Sequence, residues 1–374
     1  MPNSKKKVGI LNFQYSTHNY GAVLQAAALE YQISQLGYEA EHINFIPKSK
    51  GVSQTLNSVK KSIKKLIVKP TISVRAKVEN PAVFELFRQK WITRTAAVYT
   101  NITELKVLGN AYQAVVVGSD QVWRPQYTSK NALVYFLAFV ANKTKRISYA
   151  ASFGVDVWFD NNKPKLTQKI KSEITQFSAI SVRESKGVDI CKDTFGVTAC
   201  HVLDPTLLIG RSYFETIIEK DAAQTADANV VYYKLDINDA FIADMAELGQ
   251  HLNCAAENIY MKEESGLFFY NSVADWLNKI KKSKLVVTDS FHCVCFALLF
   301  EKPFLYYPND NRGMSRLESL LGLVSLEDRI CKDSEYIKSS GIFNKKINYN
   351  HVNSILEELR CDSLEYLSKS LESN

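Results

Sequence analysis

The sequence predicts an α/β protein made of two Rossmann-like, doubly wound domains that face one another across a cleft. Strand-like runs alternate with helical ones almost from end to end, the pattern of parallel sheets with helical crossovers. The chain has 374 residues, more than one ordinary core accommodates. The alternation also restarts after "VLDPTLLIG", where Asp-Pro favours a turn.

In chain order, strands are expected at residues 7–12, 40–45, 114–117, 146–149, 179–182 and 199–203. Helices are expected at 20–36, 83–91, 165–177 and from about 184. These make a first domain over residues 1–205. A second, over 206–349, takes strands at 229–233, 258–261, 285–288 and 304–306, with helices at 238–251, 272–281, 291–300 and about 312–321. Residues 350–374 read as a C-terminal helix able to pack back on the first domain.

Composition narrows the function classes. Apolar residues make up 46% and charged residues 23%, which excludes disordered and fibrous chains. The opening "MPNSKKKVGILNF" lacks the long apolar stretch of a secretory signal, and the longest apolar run, residues 132–141, is about half of what a membrane helix needs. A cytoplasmic protein is expected. Seven scattered cysteines without a C-x-x-C argue against a disulfide framework or a structural zinc site, and no ligand cluster suggests another metal.

The net charge of +7 is concentrated: residues 48–77 hold nine Lys or Arg and no acid. Within them, "SVKKSIKKLIVKP" sets Val59, Ile63, Leu66 and Ile67 at helical spacing beside lysines, a basic amphipathic helix. A solvated surface helix and a peripheral contact with an anionic membrane surface both fit. Nucleic acid is disfavoured, because no aromatic-interleaved or helix-turn-helix pattern accompanies the charge.

Open α/β sheets bind ligands beyond the carboxyl ends of their strands, so chemistry is sought there. In "NFQYSTHNYGAVLQ", Asn19 and Gly21 open a helix after the first strand, as a capping turn or a ligand loop. In "AVVVGSDQVWRP", a buried strand ends in Gly118, Ser119, Asp120 and Gln121, followed by Trp123. That set suits a sugar, whose hydroxyls need polar partners and whose apolar face stacks on a ring; a turn with a packing Trp is the plainer alternative. Arg183 ends a third strand, placed either to fork onto carboxylate or phosphate oxygens or to form a structural pair with a Glu. In "VVTDSFHCVCF", Asp289 and Ser290 cap a helix whose first turn carries His292, a group able to change charge near neutral pH.

Taken together, "NYGAVLQAAALEY", "VVVGSDQVW", "SYAASFG", "SVRESKG", "VLDPTLL" and "VVTDSFHCVCFALLFEKPF" resemble, in order and spacing over residues 7–307, the polysaccharide pyruvyl transferase family. The resemblance implies a glycosyltransferase-B-like fold. It implies transfer of the enolpyruvyl unit of phosphoenolpyruvate to a sugar, closing a pyruvate ketal and releasing phosphate, with no cofactor beyond that donor. The implied acceptor is a surface polysaccharide or its lipid-linked precursor, met at the inner face of the membrane.

Carried over to this chain, His292 becomes the candidate general acid, and Arg183 and Ser290 candidate donor-binding groups. Asp120 and Asp289 are candidates to orient or deprotonate acceptor hydroxyls. Many family members read Arg-Leu-His where this chain reads Ser290-Phe291-His292, so either Ser290 with the helix N-terminus or another cation is expected to serve the donor's negative charge. Lys302, Arg312 and Arg316 are near in sequence. A nucleotide-sugar glycosyltransferase and a non-catalytic polysaccharide-assembly partner remain open alternatives, since fold does not fix function.

Overall fold

The structure, a computed structural model, describes residues 6–48, 78–158, 164–223, 229–234, 236–308, 314–331, 335–336 and 340–372. The basic amphipathic stretch and Arg312 lie outside the described residues.

The first sheet is built from β1 (Lys7–Leu11), β2 (Glu39–His42), β3 (Ala114–Val117) and β4 (Lys145–Ser148), all parallel, in the order β2-β1-β3-β4. β3 is buried at every position, as a strand covered by helices on both faces must be. Single bridges from Ile147 to Ala179 and from Ala151 to Val182 extend this sheet to β5 (Ser181–Val182), which pairs with β6 (Cys200–His201).

The second sheet uses β7 (Val230–Tyr233) and β8 (Ala256–Asn258). An antiparallel hairpin, β9 (Met261–Glu264) and β10 (Leu267–Tyr270), comes next. β11 (Leu285–Thr288) and β12 (Phe304–Tyr306) complete the parallel order β12-β11-β7-β8. The sequence had suggested one strand at 258–261 and no hairpin. Its turn is Ser265-Gly266, both at positive φ (54° and 78°), the combination that matches the twist of a two-residue hairpin.

Two long helices tie the sheets together. The helix Tyr20–Gln35 follows β1, yet its first turn is buried against the second sheet. Tyr20 stacks on Trp276 at 4.9 Å and donates its hydroxyl to the Asn271 carbonyl at 2.9 Å. The C-terminal helix Tyr349–Leu371 spans both units. Val352 and Leu356 join the core around the second sheet, while Leu367 and Leu371 join the core under the first. Tyr366 donates to the Ser148 carbonyl at 3.0 Å, and Ser363 Oγ accepts from Leu203 N at 3.0 Å. The carboxyl ends of the two sheets therefore meet at a seam crossed by a fixed helix. No helix among the described residues is long and apolar enough to cross a membrane.

Candidate functional site

At the seam, four chain segments converge on one buried carboxylate, Asp204. It follows β6 and caps the short helix Pro205–Leu208, with Oδ1 accepting from Thr206 N at 3.0 Å and from Thr206 Oγ1 at 2.7 Å. Oδ2 receives Arg183 Nη1 at 2.8 Å and Ser119 Oγ at 2.8 Å, and it lies 3.5 Å from His292 Nε2. Burial alone would raise this carboxyl. The charge and hydrogen bond of His292, the Arg183 charge and the Thr206 N–H outweigh it and hold Asp204 ionised, well below the usual carboxylate range.

Arg183, just past β5, is fixed on several sides. Besides Asp204, its Nη2 donates to Asp120 Oδ1 at 3.3 Å, its Nη1 is 3.3 Å from His292 Nε2, and its guanidinium lies 4.4 Å from the Phe291 ring centre. Both terminal nitrogens are therefore engaged by protein. The acid partners of Arg183 are Asp204 and Asp120 rather than the Glu of the structural alternative, and its Nε is buried without a hydrogen-bond partner among the described residues.

His292 Nε2 faces two incompatible neighbours. Arg183 can only donate, so a bond from it requires an unprotonated Nε2; Asp204 can only accept, so a bond to it requires Nε2–H. The tautomer of the ring thus decides which of the two contacts forms. On the ring's other side the chain leaves room through Gly21: a Cβ there would stand 2.2 Å from His292 Nδ1. Asn19 is the helix cap, its Oδ1 accepting from Ala22 N at 3.2 Å.

The β3 end supplies the third wall. Gly118 has φ +126°, and a Cβ on it would stand 2.0 Å from the Tyr149 carbonyl oxygen, so only glycine fits. Ser119 N donates to Gln25 Oε1 at 3.1 Å. Asp120 has φ 75°, an uncommon conformation for a non-glycine residue, of the sort that clusters at functional sites. Burial would raise its carboxyl, but the charges of Arg183, His292 and Arg316 prevail and lower it. Gln121 is buried with Nε2 unpartnered.

Trp123 departs from the sugar-stacking expectation. It is fully buried, stacked on Phe136 at 5.1 Å, and its Nε1 donates to the Tyr135 carbonyl at 2.9 Å. The ring is core, and a sugar has no access to it. Asp289 is buried opposite Lys234 at 3.6 Å. That ammonium lies 5.8 Å from the Phe241 ring centre and 5.4 Å from that of Tyr307. Ser290 is the helix cap, its Oγ accepting from Cys293 N at 3.4 Å.

Three contributors escaped the motif reading. Asp204 was hidden because Asp-Pro was already accounted for by a turn. Gln25 is the one polar residue in "AVLQAAAL", a signal that was there to use. Glu184 stands where a helix was expected to start, a position that suits an acid without any further role. It is fully buried, and its Oε1 accepts from Ser152 Oγ, Phe153 N and Gly154 N at 3.0, 2.8 and 3.0 Å. It holds the "SFG" loop against the site. Of the cations near in sequence, Arg316 stands in the field of Arg183, Asp120 and Glu184, whereas Lys302 lies in that of Lys281.

What the arrangement can do is hold a protonatable imidazole between a permanent carboxylate and a guanidinium at the junction of two sheets. Solved structures share the architecture. A Listeria monocytogenes protein assigned as a UDP-N-acetylglucosamine 2-epimerase superimposes with a TM-score of 0.54 at 11% identity, covering 93% of this chain and 91% of that one. Staphylococcus aureus MnaA, solved with UDP, gives 0.54 at 11% identity over 99% and 92%. LpCGTa in complex with UDP gives 0.50 at 9% identity over 99% and 100%. At such identities the likeness is one of fold, the GT-B arrangement of parallel α/β sheets. A search of curated protein sequences returned no match. The family model for polysaccharide pyruvyl transferase matches residues 19–311, a span holding Gly21, Asp120, Arg183, Asp204 and His292, and the chain belongs to that family.

Proposed function

We propose that the protein transfers the pyruvyl unit of phosphoenolpyruvate to a sugar of a surface polysaccharide or its lipid-linked precursor, forming a cyclic ketal and releasing phosphate. The observation that carries this reading is His292, set between the ionised Asp204 and Arg183 at the carboxyl ends of both sheets. Its Nε2 has a carboxylate within reach that can accept from it and a guanidinium that can donate to it.

The chemistry needs such a group. The methylene carbon of phosphoenolpyruvate is electron-rich; His292 gives it a proton, and the neighbouring carbon becomes an oxocarbenium. One sugar hydroxyl adds there, forming a C–O bond and losing its proton to a nearby carboxylate. Asp120 and Asp289 are the candidates for that step. The C–O bond to phosphate then breaks, and phosphate leaves with the bonding pair. A second hydroxyl closes the ring and loses its proton in turn. Fixed charges around the leaving dianion lower the barrier without reorganising. The reading carries with it a cytoplasmic setting, at the inner membrane face where the acceptor is lipid-linked.

Incubation with phosphoenolpyruvate and acceptors bearing galactose, N-acetylglucosamine or N-acetylmannosamine, followed by phosphate release and acceptor mass, tests the reading. Phosphate release without a pyruvyl gain in mass would sink it. His292→Ala should lower the rate by about 10² to 10⁴, the span typical of a general acid. A nucleotide-sugar glycosyltransferase shares the fold; stabilisation by a UDP-sugar but not by phosphoenolpyruvate would favour it.

A further inference from the structure

Pyruvyl transfer, as proposed above, requires the protein to hold a saccharide as well as a donor, and Trp123 is buried in the core. Three side chains around one glycine are better placed. Single bridges set Asp120 beside Ala151 and Ala151 beside Val182, so the chain beyond β3 and β4 still runs beside β5. Just past that line, Gly154 is gripped from three directions. Its N–H donates to Glu184 Oε1 at 3.0 Å, and its carbonyl accepts from Arg124 Nη1 at 3.3 Å. Gln121 lays its amide against the third side: a Cβ on Gly154, where φ is +63°, would stand 1.8 Å from Gln121 Nε2.

Each of these side chains keeps an atom in reserve. Gln121 Nε2, Arg124 Nε and Glu184 Oε2 are buried with no hydrogen-bond partner among the described residues, and Glu184 and Gln121 are 0% and 7% exposed. Buried polar atoms are nearly always paired in native proteins, so orphans gathered around a single residue mark a place that something bound completes. Their chemistry selects what that is. Two N–H groups need an acceptor, one carboxylate oxygen needs a donor, and a guanidinium with a carboxylate carries no net charge. A phosphate brings Glu184 further negative charge, and an ammonium has no lone pair for Gln121 or Arg124. A hydroxyl serves all three. The corner reaches solvent at Arg124, half-buried, and at Tyr127, 52% exposed, whose ring centre lies 4.5 Å from the guanidinium. Polar groups within and an aromatic at the rim suit a sugar ring.

We infer that Glu184 Oε2, Gln121 Nε2 and Arg124 Nε form a subsite for one hydroxyl of the saccharide acceptor, with Tyr127 at its mouth, an assignment that rests on the transfer reading for the identity of the sugar. The subsite adjoins the groups at the seam: Gln121 N donates to Asp120 Oδ1 at 2.9 Å, and Glu184 directly follows Arg183. Its three residues bind and orient. The hydroxyls that attack the donor are others on the same saccharide.

The probes are the methyl glycosides of galactose, N-acetylglucosamine and N-acetylmannosamine with their monodeoxy forms, titrated by saturation-transfer NMR without donor. Glu184→Gln leaves an oxygen for Ser152, Phe153 and Gly154 but turns the unused acceptor into a donor, and should weaken the bound glycoside by about 10-fold or more, the effect of losing a bond to a charged group. Gln121→Met guards against misfolding: it replaces an unpartnered amide with an apolar chain of similar volume, so it should keep wild-type thermal stability and still weaken the glycoside by about 3- to 10-fold. One monodeoxy form should bind the wild type as weakly as Glu184→Gln binds the parent, and that variant should not tell the two apart. Phosphoenolpyruvate affinity should stay within about twofold in both variants, since neither bond is to the donor. Unchanged glycoside affinity in both folded variants, the result of ordered water alone in the site, would overturn the assignment, as would a wild type that binds none of the glycosides. A UDP-sugar that depends on Glu184 while the glycosides do not would also overturn it, in favour of a sugar donor. Glycoside binding through Glu184 with no pyruvyl gain in acceptor mass would instead overturn the transfer reading and leave the hydroxyl subsite standing.

Discussion

Gly21→Ala tests whether backbone proximity, rather than a hydrogen bond, sets the position of His292. A Cβ at residue 21 would stand 2.2 Å from Nδ1, 2.4 Å from Cγ and 2.7 Å from Cβ of His292, where ordinary contact begins at 3.4 Å. Relief therefore requires a displacement of about 1.2 Å. The helix cannot readily supply it, because Tyr20, the preceding residue, is stacked on Trp276 and bonded to the Asn271 carbonyl. The imidazole is the part that must move, and its 3.3 Å approach to Arg183 and 3.5 Å approach to Asp204 are lost. A shift of that size in a reacting group costs on the order of 10²-fold in rate. Alanine is the better helix former by about 1 kcal/mol, so any net destabilisation, expected at about 1–3 kcal/mol, is steric. Steady-state phosphate release and urea denaturation measure the two effects. In a His292→Ala background the same substitution should cost little in either, a coupling that a double-mutant cycle isolates. A folded Gly21→Ala protein turning over within twofold of wild type would refute the argument.

Three further substitutions probe the surroundings. Asp204→Asn breaks a buried charge pair and should destabilise by about 3–5 kcal/mol at pH 7. The Asp204 carboxyl is depressed on folding, so its contribution is complete above the unfolded value of about 4 and is lost as pH falls toward the much lower folded value; the gap between mutant and wild type should therefore narrow by about 1.4 kcal/mol per pH unit below about pH 4, and a constant gap would contradict the assignment. Glu30 runs in the opposite sense: burial, partly offset by the Thr93 hydroxyl and N–H, lifts it to about 7. The folded state then holds a proton that the unfolded state releases from about pH 4.5 upward, so wild-type stability should drop by about 3 kcal/mol on going to pH 9. Glu30→Gln should flatten that drop, and parallel curves for the two proteins would exclude it. Trp123→Ala should cost about 3–5 kcal/mol of stability through the cavity it leaves, while acceptor KM in the folded fraction stays at the wild-type value; a selective rise in that KM would restore the ring to the sugar site.

The elements that were legible in the sequence were those whose local pattern admits one physical solution. A run such as Ala114-Val-Val-Val117 can be satisfied only with both faces covered, and it forms the buried central strand β3. "MKEESGLFFY" mixes charge, a turn dipeptide and aromatics, and its hairpin became clear only with the backbone in view. The site divides along the same line. Gly21 was readable as a place of close approach, although not what approaches, and the Tyr149 carbonyl against Gly118 had no such signal. Trp123 was misleading because an aromatic beside a polar loop has the same local sequence whether it faces a ligand or the core. Arg183 is the sharpest instance. A strand-end arginine advertises anion binding, but its terminal nitrogens reach Asp204, 21 residues on, and Asp120, 63 residues back. No window of sequence contains that competition.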